Sequence, residues 1–286
     1  MKKVLIFMLL MNMLVLFGCV STNNKTEEKE ETPKEDEPVK EDEPGKEDEP
    51  EAEEEKEPEI NDERPFIDGK KLVLLGDSIS AIGTWGKSVA DELNMYFYNA
   101  AVGGITSTQG IVRFNSFVKN SEADFVTICF GQNDLIMNTY NTPKVSLDEF
   151  RENMKTMVNL VRGIGAVPIL LTTNPLNPDI FWTAQGQNRE NYKEVGYDPL
   201  AWLDQYNQVT REVAAEMECD LVDMRNEFSV KYYRSNLSDG IHLNASGNEI
   251  FKNALLRYFL TDYRKNPDAE KVTEPDPNIY VTEINY

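Results

Sequence analysis

The segment KLVLLGDSI (Lys71–Ile79) decides the fold of this chain. An aliphatic run, Leu72 to Leu75, leads directly into Gly76-Asp77-Ser78, which is the pattern of a buried strand that ends in a tight polar turn. An uninterrupted aliphatic run, unlike an alternating one, is typical of a strand covered on both faces, as in a parallel sheet. The segment therefore predicts an α/β protein with a serine at the carboxyl end of its first strand.

Further short apolar segments alternate with longer amphipathic segments in the rest of the chain. The predicted strands are Lys71–Leu75, Tyr96–Asn99, Asp124–Phe130, Val167–Thr172 and Cys219–Val222. The predicted helices are Trp85–Leu93, Thr108–Val118, Leu147–Arg162, Pro199–Met217 and Ser246–Leu260. This alternation indicates a three-layer α/β sandwich around a five-stranded parallel, doubly wound (flavodoxin-like) sheet. The working residues of such sheets gather at the carboxyl ends of the strands.

The charge of the chain is concentrated outside this pattern. The 286 residues carry a formal net charge of −21. Ser21 to Arg64 alone contains 21 acidic and 7 basic residues, so the part from Pro65 onward is only mildly acidic. Because no basic face remains to neutralise phosphates, we expect no nucleic-acid partner.

Residues 1–19 are predicted to be a lipoprotein signal peptide. Two lysines precede the apolar stretch from Val4 to Phe17, which is too short to span a bilayer comfortably. The sequence LFGC (Leu16–Cys19) resembles a bacterial lipobox, in which the cysteine thiol is acylated. We therefore expect an extracytoplasmic protein that is anchored to the bacterial cell membrane through Cys19, carrying an acyl chain such as palmitate. The alternative is an ordinary secretory signal peptide whose cysteine is incidental.

Residues 20–64 are predicted to be a disordered acidic, proline-rich tether. The sequence KEDEP recurs between Lys34 and Pro50, and the segment has almost no apolar residues with which to form a core. Like charges and prolines favour an extended spacer over the alternative, an acidic run that binds calcium or a basic partner. We expect residues 65–264 to form the folded domain and residues 265–286 a tail whose last residues alternate as in an edge strand.

Polar residues that suit an active site follow the predicted strands. The loops that carry them are Gly76–Ile79, Ala100–Gly104, Gly131–Asp134 and Ser238–Asn244. His242 is the only histidine of the chain, and Asp239, in the same loop, can reach one of its ring nitrogens through a tight turn. A serine hydroxyl is a weak nucleophile that needs such a base. The residues therefore predict a triad of Ser78, His242 and Asp239.

Neither a metal nor another cofactor is expected. One histidine and no cluster of cysteines do not make a zinc site, which leaves only a calcium site of carboxylates as an alternative. Cys129 and Cys219 lie in apolar, strand-like segments, and two such positions rarely meet the geometry of a disulfide. We expect two buried thiols.

These loops, in this order, resemble those of the SGNH (GDSL-type) hydrolase family, and the similarity spans Lys70 to Leu260. The first loop differs only at Ile79, where the family usually has leucine. The resemblance implies that Ser78 is the nucleophile, that His242 is its base, and that Asp239 orients the histidine.

The resemblance also implies an oxyanion hole. A carbonyl attacked by serine develops negative charge, and donors already in place are usually the largest catalytic effect in such sites. The family pattern assigns these donors to the Ser78 backbone amide, Gly104 and Asn133. Gly103 stays open as the alternative to Gly104, since the sequence does not show which amide faces the site.

The longest segment without a regular pattern, Thr173–Asp198, follows the fourth strand and belongs to the rim of the predicted site. Its aromatic residues stand among asparagines and glutamines, a combination that suits a sugar ring. Candidate substrate contacts are Trp182 and Tyr192 of this segment, and Trp85 after the serine turn. The alternative is that the aromatic residues anchor the segment to the domain.

The resemblance implies a carboxylic ester hydrolase that works through an acyl-enzyme. Together with export, it points to a cell-surface O-deacetylase of polysaccharide or cell-wall glycan, with an acetylated glycan or another ester as substrate. A lipase or lysophospholipase and an O-acyltransferase of the same family are the alternative enzymes. A noncatalytic glycan-binding surface lipoprotein is the alternative outside enzymes. The sequence makes no prediction of the oligomeric state.

Overall fold

The computed structural model describes residues 67–228 and 232–262, and five parallel strands form the sheet that the sequence predicts. The strands are β1 (Lys71–Gly76), β2 (Tyr96–Asn99), β3 (Phe125–Cys129), β4 (Val167–Leu171) and β5 (Asp220–Val222). Their order across the sheet is β2-β1-β3-β4-β5, and all neighbours are parallel. The predicted α/β class and its flavodoxin-like sheet are confirmed.

Both faces of the sheet are buried, as the aliphatic run of β1 predicts. Leu72 and Leu74 belong to the apolar cluster on one face, and Val73 and Leu75 belong to the cluster on the other. All of these side chains are fully buried. β1 pairs with β2 on one side and with β3 on the other, so it is not an outer strand of the sheet. The turn that carries Ser78 therefore has neighbouring strand ends on both sides.

Helices cover the two faces. They are α1 (Ser78–Ala81), α2 (Trp85–Glu92), α3 (Ser107–Arg113), α4 (Leu147–Gly163), α5 (Pro178–Ala184), α6 (Pro199–Glu216), α7 (Met224–Glu227) and α8 (Ala245–Arg257). The residues of α2 and α8 pack in the cluster that contains Leu72, whereas those of α3, α4 and α6 pack in the cluster that contains Val73. The three predicted layers are therefore present.

Polar caps start the long helices and set their bounds. Ser146 accepts a hydrogen bond from a backbone amide of the first turn of α4, and Asp198 and Asn244 do the same for α6 and α8. The ends of two predicted helices differ in type, because α3 continues as a π-helical turn over Phe114–Val118 and α8 continues as one over Tyr258–Asp262.

The segment Thr173–Asp198 corrects one expectation, because it contains two helical pieces. They are α5 and a 3-10 helix over Arg189–Val195. Asn177 caps α5 and Pro178 occupies its first turn, and Asn188 caps the 3-10 helix. Polar caps, and not apolar periodicity, specify these pieces, so the prediction of an irregular segment is wrong there.

Both cysteines of the described residues are free thiols. Cys129 is fully buried, as expected. Cys219 is only half-buried, and its Sγ lies 3.3 Å from the carbonyl oxygen of Pro168.

Several predictions lie outside the described residues. They concern the signal peptide (1–19) with Cys19, the tether (20–64) and the tail (265–286). Within residues 67–228 and 232–262, no helix combines the length and the apolar character needed to cross a membrane.

Candidate active site

The predicted loops meet at the carboxyl ends of the strands. Ser78 follows β1, Gly104 follows β2, and Asn133 follows β3. The chain passes from β1 to β2 on one side and then crosses to β3 on the other, so β1 and β3 enclose the point where the strand order reverses. Ligands of doubly wound sheets bind in the crevice at this point. The fold therefore places the serine where a crevice is expected.

Ser78 is the first residue of α1, and the turn before it is held from two sides. Asp77 accepts a hydrogen bond from the Ile79 amide over 2.9 Å, which caps α1. From β2, the side-chain amide of Asn99 donates to the carbonyl oxygen of Ser80 over 3.0 Å. These contacts fix the backbone on which the serine hydroxyl stands.

The three residues of the predicted triad lie in one line of short contacts. Nε2 of His242 lies 2.9 Å from Oγ of Ser78. On the other side of the ring, Nδ1 lies 2.7 Å from Oδ2 of Asp239. This is the arrangement in which a carboxylate orients an imidazole toward a hydroxyl.

The tight turn from Asp239 to His242 brings the aspartate carboxylate to the histidine ring. Gly240 has φ 86°, a left-handed conformation that favours glycine, and its Cα faces Ile180 of α5 so closely that a Cβ would overlap that side chain. The other carboxylate oxygen, Oδ1 of Asp239, accepts hydrogen bonds from the Ile241 amide (3.0 Å) and the His242 amide (2.9 Å). Backbone amides of the turn thus hold one carboxylate oxygen, and the other oxygen contacts the ring.

The pKa of Asp239 lies below its ordinary value. Partial burial acts to raise the pKa, but the hydrogen bonds from the His242 ring and from the backbone amides outweigh it. The carboxylate therefore stays ionised, as a partner for a positively charged imidazole requires.

Candidates for the oxyanion hole surround the serine. Gly104 has φ 80°, and no atom lies within 4 Å of the place a Cβ would take, so its backbone borders open space. A Cβ on Gly103 would lie 3.7 Å from the Cβ of Ser78. The side-chain amide of Asn133 is oriented by Asp77, to which it donates over 3.3 Å. Gly103 thus lies beside Ser78, Asn133 contacts the residue before it, and Gly104 follows Gly103 in the same loop.

Two buried acids beneath these loops are not singled out by the sequence patterns. Asp77 and Asp134 are fully buried. Burial raises the pKa of Asp77 to about 7 against the hydrogen bond from the Ile79 amide, and the nearby Asp134 carboxylate adds to the rise. Burial likewise raises the pKa of Asp134 to about 6, against the hydrogen bonds that it accepts. Asp77 precedes Ser78 and Asp134 follows Asn133 in the chain. Their burial, which the sequence does not show, is what distinguishes them from other aspartates in loops.

Asp134 ties two of the loops together. Its Oδ1 accepts hydrogen bonds from the backbone amide (2.9 Å) and the hydroxyl (2.5 Å) of Ser107, the first residue of α3. Its Oδ2 accepts one from the Gly131 amide over 3.2 Å. Since Gly104 shortly precedes Ser107, this carboxyl group sets the Gly104 loop against the turn of Asn133.

A buried amide after β4 supports the histidine loop in a similar way. Asn174 is fully buried, and its Nδ2 donates to the carbonyl oxygen of Ile241 over 2.8 Å. The backbone carbonyl oxygen of Asn174 accepts a hydrogen bond from the side-chain amide of Gln132 over 2.9 Å. The residues on either side of the site, Gln132 before Asn133 and Ile241 before His242, are therefore connected through Asn174.

The structure corrects the expected substrate contacts. Trp85 is fully buried, because its indole packs against Phe251 and donates to the Ile79 carbonyl oxygen, so it cannot form a wall of the site. Tyr192 is also fully buried, and its hydroxyl accepts a hydrogen bond from the Met137 amide. Trp182 is half-buried and packs edge-on against Tyr192. The contact between Tyr192 and Trp182 anchors the segment to the domain, as the alternative interpretation has it, and Trp182 as a substrate contact stays a prediction.

Among residues 67–228 and 232–262, no group of three or more histidine, cysteine or acidic side chains is placed to hold a metal ion. The chemistry that the described geometry offers is instead that of a hydroxyl, an imidazole and a carboxylate, with amide donors beside them. That set can take a proton from the serine, attack a carbonyl and stabilise the resulting oxyanion.

Comparison with known proteins, added to this fold, shows that the class is that of the carboxylic ester hydrolases. Comparison with known proteins then identifies the chain as a member of the GDSL-like lipase/acylhydrolase family, whose sequence pattern matches residues 74–250. The SGNH resemblance is thereby confirmed.

Several relatives and solved structures resemble the chain. The isoamyl acetate-hydrolyzing esterase 1 homolog of Bos taurus is 31% identical over 198 residues, which are 63% of this chain and 77% of that protein. The uncharacterized lipoprotein YqeF of Bacillus subtilis is 29% identical over 149 residues, 49% of this chain, and the chain spans only 58% of that relative.

Two crystal structures share the fold at 22% identity. The lipase/acylhydrolase from Enterococcus faecalis matches with a TM-score of 0.53 over 68% of this chain and 96% of that one. The acetylxylan esterase Axe2 from Geobacillus stearothermophilus matches with a TM-score of 0.54 over 66% of this chain and 94% of that one.

Proposed function

We propose that the protein is a serine esterase that removes acetyl groups from glycans at the cell surface, with Ser78, His242 and Asp239 as its triad. One observation carries the proposal, the continuous line of contacts from the Asp239 carboxylate through both ring nitrogens to the serine hydroxyl, at 2.7 and 2.9 Å. With Nδ1–H donating to the carboxylate, Nε2 is left to accept the serine proton.

The first half of the reaction forms an acyl-enzyme. Oγ of Ser78 attacks the ester carbonyl carbon while its proton passes to Nε2 of His242. The imidazolium then gives that proton to the leaving alcohol oxygen as the C–O bond breaks, and the acetyl group stays on the serine. Asp239 stabilises the imidazolium without taking its proton.

The second half returns the enzyme to its starting state. Nε2 of His242 takes a proton from water, and the resulting nucleophile attacks the acetyl carbonyl carbon. The acyl–oxygen bond breaks, the proton passes to Oγ of Ser78, and acetate leaves. With a sugar hydroxyl in place of water, the same steps describe acyl transfer, the alternative reaction of this site.

The oxyanion formed in both halves needs donors, and we assign them to the backbone amides of Ser78 and Gly104 and to Nδ2 of Asn133. The resemblance to the SGNH pattern supports Gly104, and Gly103, where an added Cβ would lie 3.7 Å from the Cβ of Ser78, is the alternative donor. The hydrogen bond from Asn133 to buried Asp77 supports a preset orientation of its amide. Loss of one such donor raises the barrier by about 3 kcal/mol in comparable sites.

Acetate esters are the proposed substrates because the names of two similar proteins specify them. The Bos taurus relative is named for isoamyl acetate, and the Geobacillus structure is named an acetylxylan esterase. The first name supports a second candidate, an esterase for acetates of small alcohols. Release of acetate from acetylated xylan, compared with release from isoamyl acetate, decides between the two.

Anchoring through Cys19 is the remaining part of the proposal. The LFGC sequence at residues 16–19 supports it, as does the description of the Bacillus relative as a lipoprotein. Metabolic labelling of the full chain with an alkyne analogue of palmitate is expected to label the protein, and Cys19→Ser is expected to abolish the label. An unlabelled wild-type chain that is secreted free into the medium would support the ordinary secretory signal peptide instead.

The activity is tested with p-nitrophenyl esters and one variant. Ser78→Ala is expected to lower hydrolysis of p-nitrophenyl acetate to near background while the circular dichroism spectrum stays unchanged. A preference for acetate over octanoate supports a deacetylase, whereas a maximum at octanoate or longer supports a lipase. A wild-type protein without activity on any ester, but able to bind glycans, supports the noncatalytic alternative.

A further inference from the structure

A polar cleft adjoins the proposed oxyanion hole. It has a volume of about 420 Å³ and borders Gly104, the glycine to which we assign an oxyanion donor. This volume lies in the range of sites that bind small molecules. Gly104 is the one residue that the cleft shares with the proposed oxyanion hole, so it connects the two.

Polar side chains form the walls of the cleft. One wall consists of Thr106, Thr108 and Gln109 at the start of α3, and the other includes Lys144 and Glu149 at the start of α4. The only large aliphatic residue of the lining, Val145, is itself 2% exposed and offers little apolar surface. The lining side chains are polar, but they expose polar and apolar atoms in about equal parts, which suits a ring that carries hydroxyl groups on a carbon frame better than a fatty acyl chain.

The two charged residues of the cleft form no ion pair with each other. Oε1 of Glu149 accepts a hydrogen bond from the Thr108 hydroxyl over 2.9 Å. The ammonium group of Lys144 makes no ion pair or side-chain hydrogen bond with any residue in the described ranges. The cleft thus offers a free cationic donor and an anionic acceptor, with no net charge between them.

The cleft is built on the turn that presents Asn133. The Asp134 carboxyl group holds one wall through Ser107, over 2.5 and 2.9 Å, and the Asp134 carbonyl oxygen holds the other through the Val145 amide over 3.2 Å. The Lys144 amide donates to the carbonyl oxygen of Ile136 over 2.8 Å. Both walls are therefore fixed to the catalytic turn before any ligand arrives, which lowers the entropy cost of binding.

We propose that this cleft is the subsite for an uncharged, polyhydroxylated ring of the substrate, and that Lys144 and Glu149 bind neighbouring hydroxyl groups of that ring. A sugar hydroxyl both donates and accepts, so it can pair with an ammonium group and with a carboxylate at once. This assignment rests on the proposed deacetylase function, because it places the ring next to the ester that Ser78 attacks.

A binding experiment tests the subsite without relying on catalysis. Deacetylated xylo-oligosaccharide is titrated calorimetrically into the full chain carrying Ser78→Ala, with and without Lys144→Gln. The matched control is Lys119→Gln, the same change at an exposed lysine that follows α3 and the π-helical turn, whose side chain makes no hydrogen bond or ion pair within residues 67–228 and 232–262. We expect Lys144→Gln to weaken binding about tenfold, as for loss of a hydrogen bond to a charged group, and Lys119→Gln to leave it unchanged.

Kinetics of the enzyme with Ser78 intact separate this proposal from the proposed function. For Lys144→Gln, kcat/KM on acetylated xylo-oligosaccharide is expected to fall about tenfold, mainly through KM, and to fall much less on p-nitrophenyl acetate, which has no ring hydroxyls to bind. Unchanged binding and kinetics on the oligosaccharide would overturn the subsite while leaving the esterase proposal intact. A loss confined to oligomers of acetylated uronic acid would also overturn it, because the lysine would then bind an anion.

A wild-type chain that releases no acetate but binds the oligosaccharide through Lys144 would separate the two proposals in the other direction. The subsite would stand as a glycan-binding site, and the deacetylase function would fail.

Discussion

The acidic residues of this site lie in two regions that differ in their exposure to water. Asp239, on the loop before α8, has a side chain that is 53% exposed, and its pKa lies below the ordinary value although partial burial opposes this. Asp77 and Asp134, beneath the serine and oxyanion turns, are fully buried, and burial raises their pKa values to about 7 and about 6. Aspartate therefore occurs here in two ionisation states, and the exposure of each residue to water decides which one it has.

The difference follows from what each region has to do. In the proposed triad Asp239 has to stay ionised to stabilise a positively charged ring, and the hydrogen bonds from the His242 ring and from backbone amides favour its ionised form. The buried acids hold loops in place through two hydrogen bonds at Asp77 and three at Asp134, and ionisation there is unfavourable because water is excluded. The exposed carboxylate supplies charge, whereas the buried ones supply geometry.

The largest effect is expected from the exposed region. Asp239→Asn keeps the shape of the side chain but removes the charge and the preference for one tautomer of His242. We expect kcat on p-nitrophenyl acetate to fall about 10³-fold, somewhat less than the ~10⁴-fold seen for buried triad aspartates. Steady-state kinetics measure this, with the melting temperature as the control for folding. A loss of less than about tenfold would mean that His242 is oriented by something else.

The next effect concerns the buried region. In Asp77→Asn, the amide oxygen can still accept from the Ile79 amide, but the new NH₂ group then faces Nδ2 of Asn133, a donor against a donor. We expect the asparagine to turn away and kcat to fall about 10²-fold, as for loss of one oxyanion donor. Asn133→Ala serves as the matched variant, and the double variant should lose little beyond Asn133→Ala alone. Fully additive losses would show that Asp77 acts independently of Asn133.

The two regions also predict opposite responses of stability to pH. Between the ordinary value of 3.8 and a folded pKa of about 7, Asp77 is ionised in the unfolded chain but still protonated in the folded one. The folded state binds more protons over this window, so the free energy of unfolding falls as pH rises through it. Asp239 has the reverse sign, because its lowered pKa contributes stability that is lost as pH falls toward and below that pKa.

Thermal denaturation from pH 4 to pH 8 measures this response. We expect the melting temperature of Asp77→Asn to depend less on pH than that of the wild type, by about 5 °C over the window. Asp91→Asn, at an exposed aspartate on the end of α2, is the control and should leave the slope unchanged. Parallel slopes for the wild type and Asp77→Asn would show that Asp77 ionises normally in the folded state.

The smallest effect on kcat is expected at Asn174, which connects the loop of His242 with the turn of Asn133. Asn174→Ala removes the hydrogen bond to the Ile241 carbonyl oxygen and leaves that buried acceptor without a partner. The His242 loop should then be less well placed, and we expect kcat to fall about tenfold with KM little changed. Steady-state kinetics at a temperature well below the melting point measure this. A change confined to the melting temperature would make the asparagine purely structural.

The sequence predicts the exposed region better than the buried one. The aliphatic run of β1 and the turn after it predict a buried strand with a serine at its end, and the spacing of Asp239 and His242 predicts the contact between these two side chains. Both signals are local, because a strand's carboxyl end and a three-residue turn bring these groups together without reference to the rest of the chain.

The contacts that the sequence does not predict are long-range. Asp134 meets Ser107, and Asn174 meets Ile241, only after several strands and helices have packed. Trp85 follows the serine turn closely in the chain, yet the packing of α2 against α8 buries its ring on Phe251. Nearness in sequence therefore misplaces it at the site, since the direction of a helical side chain depends on the layer that the helix covers.

The most direct test of the central claim, that Ser78 is activated by His242, is covalent labelling with a fluorophosphonate, which reacts with activated serines. Intact-mass spectrometry of the full chain is expected to show one adduct per molecule, located by peptide mapping on the peptide that contains Ser78. In the His242→Ala variant the adduct should be lost while the fold is retained. An enzyme that hydrolyses p-nitrophenyl acetate but carries the adduct on another residue, or none at all, would contradict the account.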